Sequence, residues 1–263
     1  MLRFATGKLA EIYESHKSLW RGFGSLVVGI AIWESLKPVI NPFFFSVPSE
    51  IVRSLYKVAI SGELLPNYYV SMAEFTYGYI LGVAAAIPLG LVVGRIKLLE
   101  DVLDPYIVAL YATPKVALAP LFILMFGVGM YSKIVLVILG VFFPVFVNTF
   151  YGAKHADKVL VEAAICFGAK KQDMFFKVIM PSALPYIVAG LRLAIGIGLI
   201  FVVVGEFTAA TEGIGHMIAI AAGQFDTALV LGGVIVLSIT GMVLTEALKR
   251  LEQRIAPWQT SHL

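Results

Sequence analysis

Six apolar runs, each close to the length that a helix needs to cross a bilayer, constrain this chain most. A hydrocarbon core takes about 20 helical residues to cross, and lipid admits only helices and closed barrels because backbone polar groups must be satisfied internally. We therefore predict an all-α membrane protein of about six transmembrane helices. The runs are Gly22 to Ile40, Tyr69 to Gly94, Pro105 to Gly127, Ser132 to Tyr151, Ala183 to Phe207 and Ala228 to Leu248.

The composition supports a bilayer as the solvent of this chain. Hydrophobic residues make up 59% and charged residues 14% of the 263 residues, and the mean hydropathy is +0.90. Soluble domains have about 45–50% apolar and about 25% charged residues. We expect residues 1–21 to form an N-terminal segment and residues 22–263 to form one transmembrane domain. Pro114 and Pro120 predict a kink or break in the third run.

The basic residues predict how the helices are oriented. Lysine and arginine concentrate in cytoplasmic loops of membrane proteins. With a cytoplasmic N-terminus, 14 of the 20 lysines and arginines are cytoplasmic, two lie within spans and four lie outside. Both termini and the loop 152–181 are therefore predicted to be cytoplasmic. The four outside are Lys37, Arg53, Lys57 and Lys133.

Motifs of soluble and metal-dependent enzymes are missing from the sequence. It has no G-x-x-x-x-G-K-[ST] phosphate loop, no H-E-x-x-H and no G-x-S-x-G. Its four histidines are scattered, and its one cysteine, Cys166, leaves no intrachain disulfide or C-x-x-C pair. We expect no catalytic residue, no metal and no bound cofactor in this chain, and an intramembrane enzyme is disfavoured.

Small residues recur in the second span. Gly78 and Gly82, and then Gly90 and Gly94, form two G-x-x-x-G spacings. Such spacings let helix backbones approach closely in a membrane. Ordinary helix packing is the favoured interpretation, and a pore lining or a dimer seam is the alternative.

The loop between the fourth and fifth runs carries an unusual pattern. Val159 to Phe167 is apolar around Glu162, Gly168 suits a helix end or tight turn, and Pro181 precedes the next span. A second amphipathic stretch lies between, with apolar Phe175, Phe176, Val178 and Ile179 and polar Lys170, Lys171 and Lys177. The apolar surface of this loop must be shielded from water. It could lie on the membrane surface, pack beneath its own bundle or dock into another protein.

This loop resembles a known signature. Glu162-Ala163-Ala164, three residues, Gly168, nine residues, Val178, one residue and Met180-Pro181 are similar to the E-A-A-x3-G-x9-I-x-L-P loop of permease subunits of binding-protein-dependent ABC importers. Val178 and Met180 replace isoleucine and leucine.

Further segments resemble the nitrate/sulfonate/taurine branch of that family. Glu74 departs from the pattern, because a basic residue is expected at this position in relatives. The charge at this position is therefore not used to support the resemblance. The matching segments are Pro114 to Gly127, Gly190 to Ala194, Gln224 to Thr227, and Leu251 to Arg254 with Pro257-Trp258.

The resemblance implies a type I ABC importer permease fold with a cytoplasmic coupling helix. It implies that Glu162, Ala163, Ala164, Gly168 and Pro181 couple the chain to an ATPase. It further implies a homodimer of permeases in the bacterial inner membrane, two ATP-binding subunits that hold ATP and Mg²⁺, and an extracytoplasmic solute-binding protein. No nucleic-acid partner is implied. The implied cargo is a small solute such as nitrate, a sulfonate or a carboxylate, and an ion-coupled secondary transporter is the alternative.

Charges inside the spans are candidates for the translocation path, since a charge in lipid is costly. The candidates are Lys115, Arg192 and Glu206, of which Lys115 and Arg192 could form an anion path. Alternatively they are architectural, with Arg192 paired to Glu206 or Glu74 or capping backbone carbonyl groups at a break. The outer segment Thr208 to Thr227 either meets a solute-binding protein or plugs the outer mouth.

Overall fold

A computed structural model describes residues 21–39, 41 and 43–255 of the chain. The predicted N-terminal segment 1–21 lies outside them except for Arg21, and so does the Pro257-Trp258 pair. Every regular element in the described part is helical. The helices are α1 over 21–35, then α2 Pro48–Ile60, α3 Leu64–Val93, α4 Lys97–Ala112, α5 Ala119–Phe126, α6 Met130–Lys154, α7 Lys158–Cys166, α8 Lys171–Met174, α9 Met180–Ala209, α10 Ile214–Gly223 and α11 Thr227–Ile255.

Five of the six predicted spans are confirmed among the described residues. α3, α6, α9 and α11 are long and apolar enough to cross a membrane, and α4 with α5 makes a fifth span bent by 81°. The predicted break falls at Pro114, before a short 3-10 turn over Lys115–Leu118. The first span stays a prediction: α1 is helical only to residue 35, because Pro38 disfavours helix at Lys37, and Ile40 lies outside the described residues.

α6 forms the centre of the bundle between α3 and α9. Its side chains Leu136, Val137, Val141 and Val145 are fully buried. They pack against both neighbours in the main hydrophobic cluster. α4, by contrast, has no buried residue, so the bent span lies at the edge of the bundle.

The glycines of α3 make the packing seam with α6. A Cβ atom on Gly78 would collide with Val137, one on Gly82 would lie 3.0 Å from Val141 Cγ1, and one on Gly90 would lie 2.8 Å from Thr149 Cβ. The packing interpretation is confirmed, because these glycines face a helix of the same chain.

Two short helices complete the end of the bundle at which α3 begins and α9 ends. α2 packs on α11, and Gly62, at φ +82°, makes the turn into α3. α10 inserts Ile214, Met217 and Ile218 into a small hydrophobic cluster with Leu237 of α11. The segment after α9 is thus a helix packed into the bundle rather than an open loop.

Candidate functional site

The predicted coupling loop folds as a short, capped helix. Asp157 is the N-cap of α7, and its side chain accepts a hydrogen bond from the Val159 backbone N–H at 2.8 Å. A capping carboxylate satisfies an orphan donor and complements the helix dipole. These two effects favour a nine-residue helix, which is too short to be stable by propensity alone.

Gly168 ends α7 in the way that its sequence position predicts. Its φ is +73°, in the left-handed region that favours glycine. The Ala169 N–H donates to the Ala164 carbonyl at 2.9 Å, and the Gly168 N–H donates to the Ile165 carbonyl at 2.9 Å. This pair of bonds is a Schellman motif, and it reverses the chain directly after α7.

The apolar side of α7 is not covered by the part of the bundle that the structure describes. Val159 is 71% exposed, Ile165 63% and Phe167 91%. α7 packs mainly against α8 and the π-helical turn that follows α8. The sequence allowed three ways to bury this apolar surface. Packing beneath the bundle is therefore wrong for α7, and burial in a membrane surface or against a partner protein remains.

The second half of the loop is the part that anchors to the bundle. α8 continues into a π-helical turn over Phe175–Ile179 and then into α9, with Pro181 in the first turn. Met174, Phe175 and Ile179 pack against a cluster at the same end of the bundle. On the outer face, Lys177 pairs with Asp173 at 2.7 Å. The predicted amphipathic stretch is present, and it connects α7 to a membrane helix.

The remaining predicted coupling residues lie on this projecting element. Glu162 is exposed, and it makes no hydrogen bond or ion pair with any residue that the structure describes. Ala163 and Ala164 are half-buried. Their carbonyl groups accept the bonds that close the end of α7.

Lys115 lies at the bend of the broken span. Its Nζ donates to the Tyr111 carbonyl at 2.9 Å and lies 4.4 Å from the centroid of the Phe143 ring. A cavity of about 280 Å³ surrounds it, lined also by Gly140 and Phe201. An ammonium over an aromatic face is stabilised by a cation–π interaction. No carboxylate among the described residues pairs with Lys115.

Arg192 and Glu206, the two other path candidates, are not brought together. They are 14 residues apart on α9, which corresponds to about 21 Å of helix. Arg192 Nη2 instead pairs with Glu252 Oε2 of α11 at 2.9 Å. The suggested pairing of Arg192 with Glu206 or Glu74 is therefore wrong, and the two candidates lie at opposite halves of the bundle.

Glu206 belongs to a buried polar cluster that sequence reasoning missed. Ser71 Oγ donates to Glu206 Oε1 at 2.6 Å, and the Gly215 N–H donates to Glu206 Oε2. Beside it, Lys133 Nζ lies 2.9 Å from Glu74 Oε1. Lys133 was predicted to lie on the outer side of the membrane, but it is buried in α6. The presence of Glu74 inside a span was the only sequence signal for this pair.

A family model and curated relatives match the chain over most of its length. Residues 78–258 match the model described as "Binding-protein-dependent transport system inner membrane component". The putative aliphatic sulfonates transport permease protein SsuC of Bacillus subtilis is 35% identical over 89% of this chain and 85% of its own. The taurine transport system permease protein TauC of Escherichia coli is 31% identical over 89% and 88%. The formylaminopyrimidine transport permease protein ThiX of Halalkalibacterium halodurans is 32% identical over 88% and 92%.

Solved structures share the fold. An inward-facing MetNI methionine ABC transporter superposes with a TM-score of 0.57 at 19% identity, over 72% of this chain and 98% of that one. An amino acid ABC transporter gives a TM-score of 0.56 at 17% identity, over 77% and 97%. The fold is that of the type I importer permeases, as expected. The chain therefore belongs to the family of inner membrane components of binding-protein-dependent transport systems.

Proposed function

We propose that this chain is the permease subunit of an ATP-driven importer, moving a small anionic solute into the cytoplasm. The observation that carries the proposal is the capped helix α7: apolar side chains on it and directly after it, such as Phe167 at 91% exposure, are left exposed by the residues that the structure describes. A partner protein is the best candidate to bury this apolar surface, because α7 is connected to α9 through a packed turn. A helix lying loosely on lipid would need no such connection.

Coupling follows from that geometry. A partner that binds α7 and changes shape moves α8 and the π-helical turn with it, and this turn continues directly into α9. A ligand shifts a two-state equilibrium only through contacts that differ between the states. Glu162, exposed on α7, supplies a charged contact, and Gly168 fixes the angle at which the helix projects.

The energy source lies outside this chain. The sequence contains no phosphate-binding loop, so ATP and Mg²⁺ belong to partner ATPase subunits and the chain itself binds no cofactor. Two permease copies form the pore, two ATPase subunits dock on their α7 helices, and an extracytoplasmic binding protein delivers the solute. The chain crosses the bacterial inner membrane with both termini and α7 in the cytoplasm, which the distribution of lysine and arginine supports.

The solute is proposed to carry a sulfonate, nitrate or carboxylate group. Two relatives are named for aliphatic sulfonates and for taurine, which are both sulfonates. Of the three intramembrane candidates, Lys115 suits contact with such an anion best. Its ammonium has no carboxylate partner in the described structure and faces a cavity of about 280 Å³. Arg192 and Glu206 both have partners within the chain.

Uptake into proteoliposomes tests the energy source. The permease, its ATPase and its binding protein are reconstituted, and uptake of a labelled alkanesulfonate is followed under two conditions. With internal ATP and collapsed ion gradients, uptake is expected to continue; with ion gradients and no ATP, it is expected to stop. The reverse result would identify an ion-coupled secondary transporter.

Two substitutions on α7 test coupling. Glu162→Lys reverses the exposed charge, and Gly168→Asp places a side chain at φ +73°. Both are expected to abolish uptake while the chain still inserts and purifies normally. Glu63→Lys is the matched control, because Glu63 is exposed at the start of α3, at the opposite end of the bundle. Normal uptake by both α7 variants would refute the coupling role.

A further inference from the structure

The buried cluster at the end of the bundle that carries α10 contains one carboxylate more than it can neutralise. Glu74 of α3, Lys133 of α6 and Glu206 of α9 are 0%, 5% and 1% exposed. The carboxyl groups of Glu74 and Glu206 lie within interaction range of each other, and Lys133 acts on both. Two carboxylates and one ammonium leave a net charge of −1 in a site without water access, which is strongly unfavourable.

The hydrogen bonds around the two carboxyl groups are unequal. Glu206 accepts from the Ser71 hydroxyl and from the Gly215 N–H. Glu74 Oε1 accepts from Lys133 at 2.9 Å, but its Oε2 is buried without a hydrogen-bond partner in the described structure. A buried acceptor that lacks a donor costs free energy. Glu206 thus has the environment of an ionised carboxylate, and Glu74 does not.

We propose that Glu74 and Glu206 bind one proton between them, carried on Glu74 Oε2 and donated to Glu206. The proton supplies the donor that Glu74 Oε2 lacks and makes the cluster neutral, with Lys133 positive and Glu206 negative. Two neighbouring carboxyl groups do not both ionise when they can share a proton in this way. Deprotonating Lys133 instead would leave the cluster more negative.

The proton also bears on the attachment of α10. The Ile214 N–H donates to Ser71 Oγ at 2.8 Å, and the Gly213 N–H donates to Asn67 Oδ1 at 2.7 Å. Asn67 and Ser71 of α3, together with Glu206 of α9, thus accept hydrogen bonds from the backbone N–H groups at the start of α10. A negative charge is favoured at this end of a helix. Loss of the proton would bring a second negative charge against Glu206 and weaken this attachment.

Among the residues that the structure describes, few other titratable groups lie around the cluster. His216 on α10 is half-buried, and Glu212 in the loop before it is exposed. α11, which packs on α10, has no charged residue between Thr227 and Glu246, and it faces Tyr68 through Thr240. The proton is therefore assigned to the Glu74–Glu206 pair.

Infrared spectroscopy tests the assignment without transport, so its outcome is independent of the proposed function. The full chain is labelled with ¹³C-glutamate and purified at pH 8 in a detergent without ester carbonyls. The wild type is expected to show the carbonyl stretch of one protonated glutamic acid. Glu74→Gln and Glu206→Gln are both expected to lose it, because either leaves a neutral cluster that needs no proton. Glu246→Gln, at an exposed position paired with Arg250, is the matched control and keeps the band.

Three results would overturn the proposal. The first is the absence of the band from the folded wild type, and the second is a band that persists in both cluster variants. The third is a band that disappears when sodium replaces choline at constant pH, since this would identify a site for a monovalent cation instead.

Thermal unfolding gives a second readout. The proposed folded state holds one proton more than the unfolded chain above about pH 4.3, where free glutamate titrates. Until the pair releases its proton, the equilibrium constant for folding therefore falls about tenfold for each pH unit that the pH rises. Glu74→Gln replaces the proton by an amide donor and is expected to remove this part of the pH slope. A slope equal to that of the wild type would contradict the proposal.

Discussion

Phe167 offers the sharpest test of how α7 meets its partner. Its side chain is 91% exposed and follows the last residue of α7, so it contributes almost nothing to packing in the free chain. Burying a phenylalanine side chain contributes about 1.5–3 kcal/mol. If docking on the ATPase covers Phe167, Phe167→Ala is expected to weaken the complex roughly 10- to 150-fold.

Binding of the purified ATPase to permease in nanodiscs, followed by surface plasmon resonance, measures this loss. Phe44→Ala is the matched control, because Phe44 is 80% exposed in the connection between α1 and α2, away from α7. The control is expected to bind as the wild type does, and both variants are expected to keep the wild-type unfolding temperature. Unchanged ATPase affinity in Phe167→Ala would refute the docking surface.

Three further changes test local parts of the structure. Gly90→Leu overpacks the seam between α3 and α6 and is expected to cost about 1–3 kcal/mol, seen as a lower unfolding temperature, whereas Gly196→Leu, with open space around its Cα, is expected to have little effect. Gly213→Ala strains a backbone at φ +119° and displaces the Glu206 carboxylate, so faster hydrogen exchange is expected in α10 at a cost of about 1–3 kcal/mol. Asp157→Ala removes the cap of α7 and is expected to cost about 1 kcal/mol of helix stability, measured as faster exchange of its amides, while Asp157→Asn is expected to retain protection.

Local sequence patterns predicted the elements that depend on neighbouring residues. Apolar length located five spans, Pro114 located the break, and Gly168 located the end of α7, because each of these depends on residues that are consecutive in the sequence. The spacing of the α3 glycines likewise gave the packing seam. α10 was not predicted as a helix, because its sequence falls in a segment whose choice between loop and packed helix depends on contacts with α9 and α11.

The ion pairs could not be predicted from the sequence. Lys133 pairs with a carboxylate 59 positions away and Arg192 with one 60 positions away. Periodicity specifies which face a residue occupies on its own helix, but the partner depends on how the helices are arranged. Lys133, at the start of the fourth run, was counted on the outer side when the basic residues were used to orient the helices. Glu74, directed inward from α3, is what keeps it buried.

Labelling of Cys166 tests whether α7 lies in the cytoplasm and docks on the ATPase. It is the only cysteine of the chain, and it lies exposed at the last residue of α7. A membrane-impermeant maleimide is applied to inside-out and right-side-out vesicles, with and without the ATPase. We expect Cys166 to react only from the cytoplasmic side and the docked ATPase to slow the reaction strongly. Labelling from the outer side, or an equal rate with and without the ATPase, would contradict this expectation.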